Sequence, residues 1–82
     1  MKLFITKKAQ KELDKIPDPI AKQIVRHILA LRNNPYPSNS KKLKGYENYR
    51  IRIASFRALY TINKTKKEIT ILRIADRKDI YR

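Results

Sequence analysis

Tyr49-Arg50-Ile51-Arg52-Ile53-Ala54-Ser55-Phe56-Arg57 is the stretch that decides how the rest of the chain is read. Its side chains alternate with period two. Tyr49, Ile51 and Ile53 fall to one side, Arg50 and Arg52 to the other. That pattern predicts a half-buried strand with two guanidiniums on its open face. Arg57 follows after a short turn. With Ser55 and Phe56 as the central turn residues, Ala54 lies opposite Arg57, Arg52 opposite Leu59 and Arg50 opposite Thr61. Directly opposed residues share a face, so Arg50, Arg52 and Arg57 project together. Tyr49, Ile51, Ile53, Ala58, Tyr60 and Ile62 then face the core. Burying a core calls for none of these arginines, and like charges side by side repel.

Outward from this stretch, apolar alternation predicts strands over residues 49–54, 57–62 and 68–75, with a loop at 63–67. A final turn spans 76–79, and Ile80-Tyr81-Arg82 closes the chain. Upstream, Asn33-Asn34-Pro35-Tyr36-Pro37-Ser38-Asn39-Ser40 is loop by composition. Lys41-Lys42-Leu43-Lys44-Gly45 leads out of it and carries the sole glycine, which suits a positive φ or a close backbone approach.

The first part of the chain has a helical period. Ala9, Leu13 and Ile16 recur on one face of residues 7–16, with Thr6 as the cap. Pro17-Asp18-Pro19 ends that helix. Asp18 is placed to cap the next one, with Pro19 at its first position. There Ile20, Ile24, Ile28 and Leu31 form a stripe widened by Ala21, Val25 and Leu29. Leu3-Phe4-Ile5 reads as an N-terminal strand. The order predicts an α+β fold with an N-terminal strand, an antiparallel helical hairpin and a three-stranded antiparallel meander. The helices pack on one face of the sheet, in a single domain over residues 1–82.

Composition narrows the function. The chain has 82 residues, 21 of them Lys or Arg and 7 Asp or Glu, for a net charge of +14. So large an excess points to a polyanionic partner, nucleic acid first. Leu, Ile, Val and Phe number 22, which opposes a disordered reading. There is no cysteine, so disulfide and thiolate–metal chemistry are excluded. No apolar stretch reaches membrane-spanning length, and a cytoplasmic location is expected. A cluster of guanidiniums on a sheet face suits phosphate, which arginine grips bidentately.

Lys42-Leu43-Lys44-Gly45, Tyr49-Arg50-Ile51-Arg52, Phe56-Arg57-Ala58-Leu59-Tyr60 and the run from Leu72 through Arg77 to Tyr81 together resemble the RelE/ParE superfamily of toxin–antitoxin toxins. The resemblance spans nearly the whole chain. It implies one of two activities: RelE-type cleavage of mRNA in the ribosomal A site, or ParE-type poisoning of DNA gyrase. A non-catalytic basic RNA-binding module is the third reading. For the RelE type, the family pattern carries over to Arg50, Arg52, Arg57, Arg77 and Tyr81.

In that chemistry a ribose 2′-hydroxyl attacks the adjacent phosphate, giving a cyclic phosphate and a 5′-hydroxyl. The step needs a base, charge stabilisation at phosphorus and an acid for the leaving oxygen. The resemblance implies phosphate stabilisation by Arg52 and Arg57 and backbone holding by Arg50, Lys42 and Lys44. Arg77 is expected as leaving-group acid or second clamp, and Tyr81 as a stacking residue for a base. No metal and no cofactor are expected, since cations supply the stabilisation.

Relatives often carry Lys where Arg50 and Arg52 stand, and His where Asp76 stands. Arginine does not give up its proton in proteins, so the general base stays open among Asp76, Glu47 and Tyr81. His27, beside Ile24 and Ile28, reads as a helix-boundary residue. The expected partners are a cognate antitoxin with an acidic or disordered segment wrapping the toxin, the ribosome and its mRNA, and operator DNA through the antitoxin alone. No membrane partner is expected.

Overall fold

In the computed structural model, residues 1–43 and 48–76 are described. The elements are β1 (Lys2–Ile5), α1 (Lys7–Asp14), α2 (Ile20–Ala30), β2 (Ser40–Lys42), β3 (Asn48–Ile53), β4 (Phe56–Asn63) and β5 (Glu68–Asp76). They form an α+β fold with a five-stranded sheet in the order β1-β5-β4-β3-β2. The meander β3-β4-β5 is antiparallel, as its alternation predicts. β1 joins it in parallel beside β5, pairing Lys2 with Glu68 and Ile5 with Ile71.

The helices form where the stripes demand. Thr6 caps α1, its hydroxyl accepting from the Ala9 N–H at 3.1 Å and donating to the Leu72 carbonyl at 3.1 Å. One side chain thus starts a helix and ties it to the sheet. Ala9, Ile24, Ile28 and Leu31 are buried, and Leu13, Ile16 and Ile20 pack against them. The sheet side of the same core holds Tyr49, Ile51, Ile53, Ala58, Tyr60, Ile62, Ile69, Ile71 and Ile74. The predicted core face of the two central strands is therefore the observed one.

Three local expectations change. Asp18 does not cap α2: the N-cap is Pro19, with no side-chain cap bond, and Asp18 instead sits 4.0 Å from Lys22, both side chains exposed. β2 is an extra strand within what composition reads as a loop end. It is three residues long and is held by pairing Lys41 with Arg50 and Lys42 with Tyr49. The third change is the hairpin turn. Its central residues are Ala54 and Ser55, with Ile53 opposite Phe56, Arg52 opposite Arg57 and Arg50 opposite Leu59.

Ala54 has a φ of 56°, a left-handed conformation that costs a non-glycine residue about 1 kcal/mol. The compensation is that Phe56 joins the strand and packs against the core rather than standing in the turn. Moving the turn by one residue shifts the register by two. Side-chain period is also two, so every residue keeps its predicted face.

Candidate functional site

The arginines of β3 and β4 stand on the sheet face turned away from the helices. Arg52 and Arg57 are direct cross-strand neighbours, and Arg50 is two residues along β3. Their exposures differ sharply. Arg52 is exposed and Arg50 half-buried, whereas Arg57 is only 8 % exposed. Arg57 is the one charged residue among the described buried positions, and its Nε has no hydrogen-bond partner among the described residues. A buried cation facing a second cation at strand spacing is costly in both desolvation and repulsion.

Among the described residues, no carboxylate pairs with it across the strands. Ala75, not an acid, is the β5 residue opposite Arg57. Asp76 pairs with Phe56, which itself pairs with Ile53, so the register puts Asp76 on the core-side face. This is a correction to its candidacy as the base, because strand parity turns it away from the arginines. Glu68 is opposite Asn63, six residues along β4 from Arg57 or roughly 20 Å at strand rise. Among the described residues, no group of three or more His, Cys, Asp and Glu is placed to hold a metal.

The backbone beneath Arg52 is held from outside the ladder. Its N–H donates to the Asn39 carbonyl at 3.1 Å, and Asn39 Nδ2 donates back to the Arg52 carbonyl at 2.8 Å. Asn39 thereby continues the pairing of β3 one step past Ser40. Ser40 is fixed in turn, its hydroxyl donating to the Pro37 carbonyl at 2.7 Å.

Register also sorts the lysines. Lys42 is opposite Tyr49 and takes the Tyr49 face, while Lys41 is opposite Arg50 and shares the arginine face. Lys42, expected to hold the RNA backbone, thus stands on the other face of β2 from the arginines, and the lysine beside them is Lys41. Sequence reading missed Lys41, Asn39 and Ser38 because their faces depend on β2, which has no alternation to betray it. Lys44, Gly45, Glu47, Arg77 and Tyr81 lie outside the described residues.

Arg73 belongs to a structural pair rather than to the cluster. Its guanidinium donates to Glu12 Oε2 at 2.8 Å, and the Ile74 N–H donates to Glu12 Oε1 at 3.0 Å. Burial pushes the Glu12 carboxyl up. The hydrogen bonds from Arg73 and Ile74, with the charges of Arg73 and Lys8, outweigh that and leave it below its ordinary value. On the core side, Tyr49 stacks on Tyr60 with ring centroids 5.5 Å apart, and Tyr36 meets Tyr49 edge-on at 5.4 Å. The Tyr60 hydroxyl donates to the Pro35 carbonyl at 2.8 Å. Burial raises its pKa against a hydrogen bond with Ser40 that lowers it. His27 is half-buried on α2, within its last turn and away from the arginine face.

Residues 3–81 match the family model described as the ParE toxin of the type II toxin–antitoxin system parDE. The chain belongs to the RelE/ParE superfamily of toxins. A protein of Methanocaldococcus jannaschii named as a RelE1 toxin is 33% identical to this toxin over 82 residues, covering 95% of this chain and 91% of the relative. The archaeal RelE–RelB complex of Pyrococcus horikoshii superposes with a TM-score of 0.85 at 26% identity, covering 95% of this chain and 96% of that one. The RelB–RelE antitoxin–toxin complex of Methanococcus jannaschii gives 0.78 at 30%, covering 95% and 94%. This toxin therefore shares a superfamily with proteins crystallised with RelB-type antitoxins. No helix among its described residues is long and apolar enough to cross a membrane.

Proposed function

We propose that this toxin is a ribosome-dependent mRNA endonuclease of the RelE type, held inactive by a small antitoxin of the RelB type. The observation that carries the reading is Arg57: a buried guanidinium, its Nε without a partner among the described residues, directly opposite Arg52. Folding alone gives no reason to retain it there. A phosphate that becomes more negative during reaction does, because fixed cations in a site of reduced dielectric stabilise developing charge most.

In the proposed step a ribose 2′-oxygen forms a bond to the adjacent phosphorus and the bond to the 5′-oxygen breaks. The products are a 2′,3′-cyclic phosphate and a 5′-hydroxyl. Arg57 and Arg52 hold the equatorial oxygens of the transition state, and Arg50 holds the neighbouring backbone. Arg77 donates a hydrogen bond that clamps the leaving oxygen, which takes its proton from water, Tyr81 stacks on a base, and Lys42 and Lys44 contact the RNA backbone. The proton of the 2′-hydroxyl goes to Glu47, to Tyr81 or to an acceptor in the ribosomal complex. Dependence on the ribosome fits a site whose own described face offers charge but no base.

The family model carries the ParE name, and this favours a second reading, a gyrase poison. The arginine cluster favours the first, because phosphoryl chemistry uses it and a binding surface does not need a cation buried. Neutralisation suits the charge. Phe4, Ile5, Val25 and Leu29 are exposed apolar side chains along a groove between β1 and the helices. Arg26 and Arg32 adjoin Leu29 at helical spacing. An amphipathic acidic segment folding on contact matches that surface, in a cytoplasmic setting shared with the ribosome.

The test is induced expression of wild type and Arg57→Ala, with mRNA 5′ ends mapped and plasmid supercoiling measured in the same cells. Cleavage in translated frames that Arg57→Ala loses is the expected result. Intact message with lost negative supercoiling decides for the gyrase reading.

A further inference from the structure

The open groove beside the arginine cluster extends to a residue that the cleavage step does not use, Lys41, opposite Arg50 on β2. The groove is about 400 Å³ and is lined by Ser38, Asn39, Ser40, Lys41, Arg50 and Arg52. We infer that this groove is a second phosphate subsite, in which Lys41 joins Arg50 in gripping the backbone of single-stranded RNA one position away from the scissile phosphate that Arg52 and Arg57 hold. The inference rests on the reading of the toxin as an RNA-directed enzyme.

Three features support it. The first is chemistry: the lining holds two guanidiniums, an ammonium and polar side chains, a surface rich in donors and suited to phosphate and ribose oxygens. The second is placement. Lys41 is on β2 and Arg57 on β4, two strand spacings apart, or roughly 10 Å. Arg50 and Arg52 lie on the strand between, so the cations trace a path across the sheet rather than one point. The third is preorganisation. The paired bonds between Asn39 and Arg52, with the Ser40 hydroxyl bonded to Pro37, fix the wall opposite the arginines before anything binds.

An acidic peptide is the rival occupant. A peptide surface needs apolar anchors as well as charge. None of the six lining residues supplies one, whereas the groove at Phe4, Val25 and Leu29 does. RNA backbone, which offers charge at regular intervals, fits the polar groove better.

The experiment measures equilibrium binding of a fully 2′-O-methylated uridine decamer, which cannot be cleaved, across a salt series. The proteins are wild type, Lys41→Ala, Lys41→Arg and Lys22→Ala. Removing one phosphate contact to a single strand lowers the slope of log K against log salt by about 0.7. Lys41→Ala is expected to show that loss, Lys41→Arg to restore it, and Lys22→Ala, at an exposed position of α2 across the sheet, to keep the wild-type slope. A Lys41→Ala slope equal to that of wild type overturns the subsite and leaves the cleavage reading standing. So does a Lys41→Ala loss matched by Lys22→Ala, which reports diffuse charge. Weakened binding of a ten-residue glutamate peptide with unchanged RNA binding makes the groove a protein surface and also overturns it. Failure of wild type to bind the decamer at any salt removes the RNA reading and the subsite with it.

Discussion

Replacing Arg57 with methionine is expected to make the protein more stable and inactive. Arg57 is 8 % exposed, and its Nε has no partner among the described residues. A buried donor left unsatisfied costs about 1–3 kcal/mol. Two like charges directly across a strand pair cost a further ~0.2–1 kcal/mol, and Arg52 faces Arg57 in that way. Methionine keeps an unbranched stem of similar reach and removes both penalties. Neighbouring side chains relax around a buried charge, so the lower part of the combined range applies: a gain of about 1–2 kcal/mol. For a chain of this size each kcal/mol raises the melting temperature by about 4–8 °C. Urea unfolding followed by circular dichroism reads the gain as a higher midpoint at unchanged slope. Cleavage of ribosome-bound message should fall by about 10²–10³ in the same variant, the loss typical for removing one transition-state donor. Arg57→Met that is less stable by ~1 kcal/mol or more would falsify the reasoning. The guanidinium would then be part of the fold's own support, not a cation held for a ligand.

Other perturbations test the frame around the site. Folding lowers the Glu12 pKa, so the folded chain binds that proton less readily than the unfolded one. The stabilisation is complete above the unfolded value near 4.5 and fades as pH falls through the lower folded value. Glu12→Gln should cost about 1–3 kcal/mol at pH 7 and flatten the acid limb of a stability–pH curve; an unchanged limb would assign acid sensitivity to other groups. Asn39→Ala should cost only ~0.5–1 kcal/mol, since its bond to Arg52 is exposed. It should also slow cleavage, because Arg52 loses its backbone clamp; a variant with wild-type cleavage would show that β2 alone positions Arg52.

Much of this architecture is legible in the sequence, and the exceptions have physical causes. The helices and the meander announce themselves by period, because each buries one stripe or one face. The arginine face survives a misplaced turn for the same reason: the register moved by two, and parity did not change. The turn itself is obscured by Ala54, which takes a positive φ without glycine or asparagine to signal it. β2 is hidden because three residues of Ser-Lys-Lys show no alternation, and its existence depends on β3 already being in place. The Glu12–Arg73 pair joins positions 61 residues apart, a separation that local pattern does not register. Lys41 and Lys42 are equally basic, and only the strand beneath them says which one faces the arginines.

The parallel pairing of β1 with β5 has a consequence for the order of folding. β5 sits between β1 and β4 and supplies Ile69, Ile71 and Ile74 to the core, yet it is synthesised after the other four strands. Until it arrives, β1 has no sheet neighbour and the helices have only half a floor. Closure therefore waits on contacts between the beginning of the chain and residues nearly seventy positions later, the kind of long-range loop that slows folding most. A growing chain can assemble its β3–β4 hairpin and carry its arginines well before it has a finished scaffold to aim them. The scaffold beneath the arginine face is thus timed by its topology: of the five described strands, the one made last is the one that completes it.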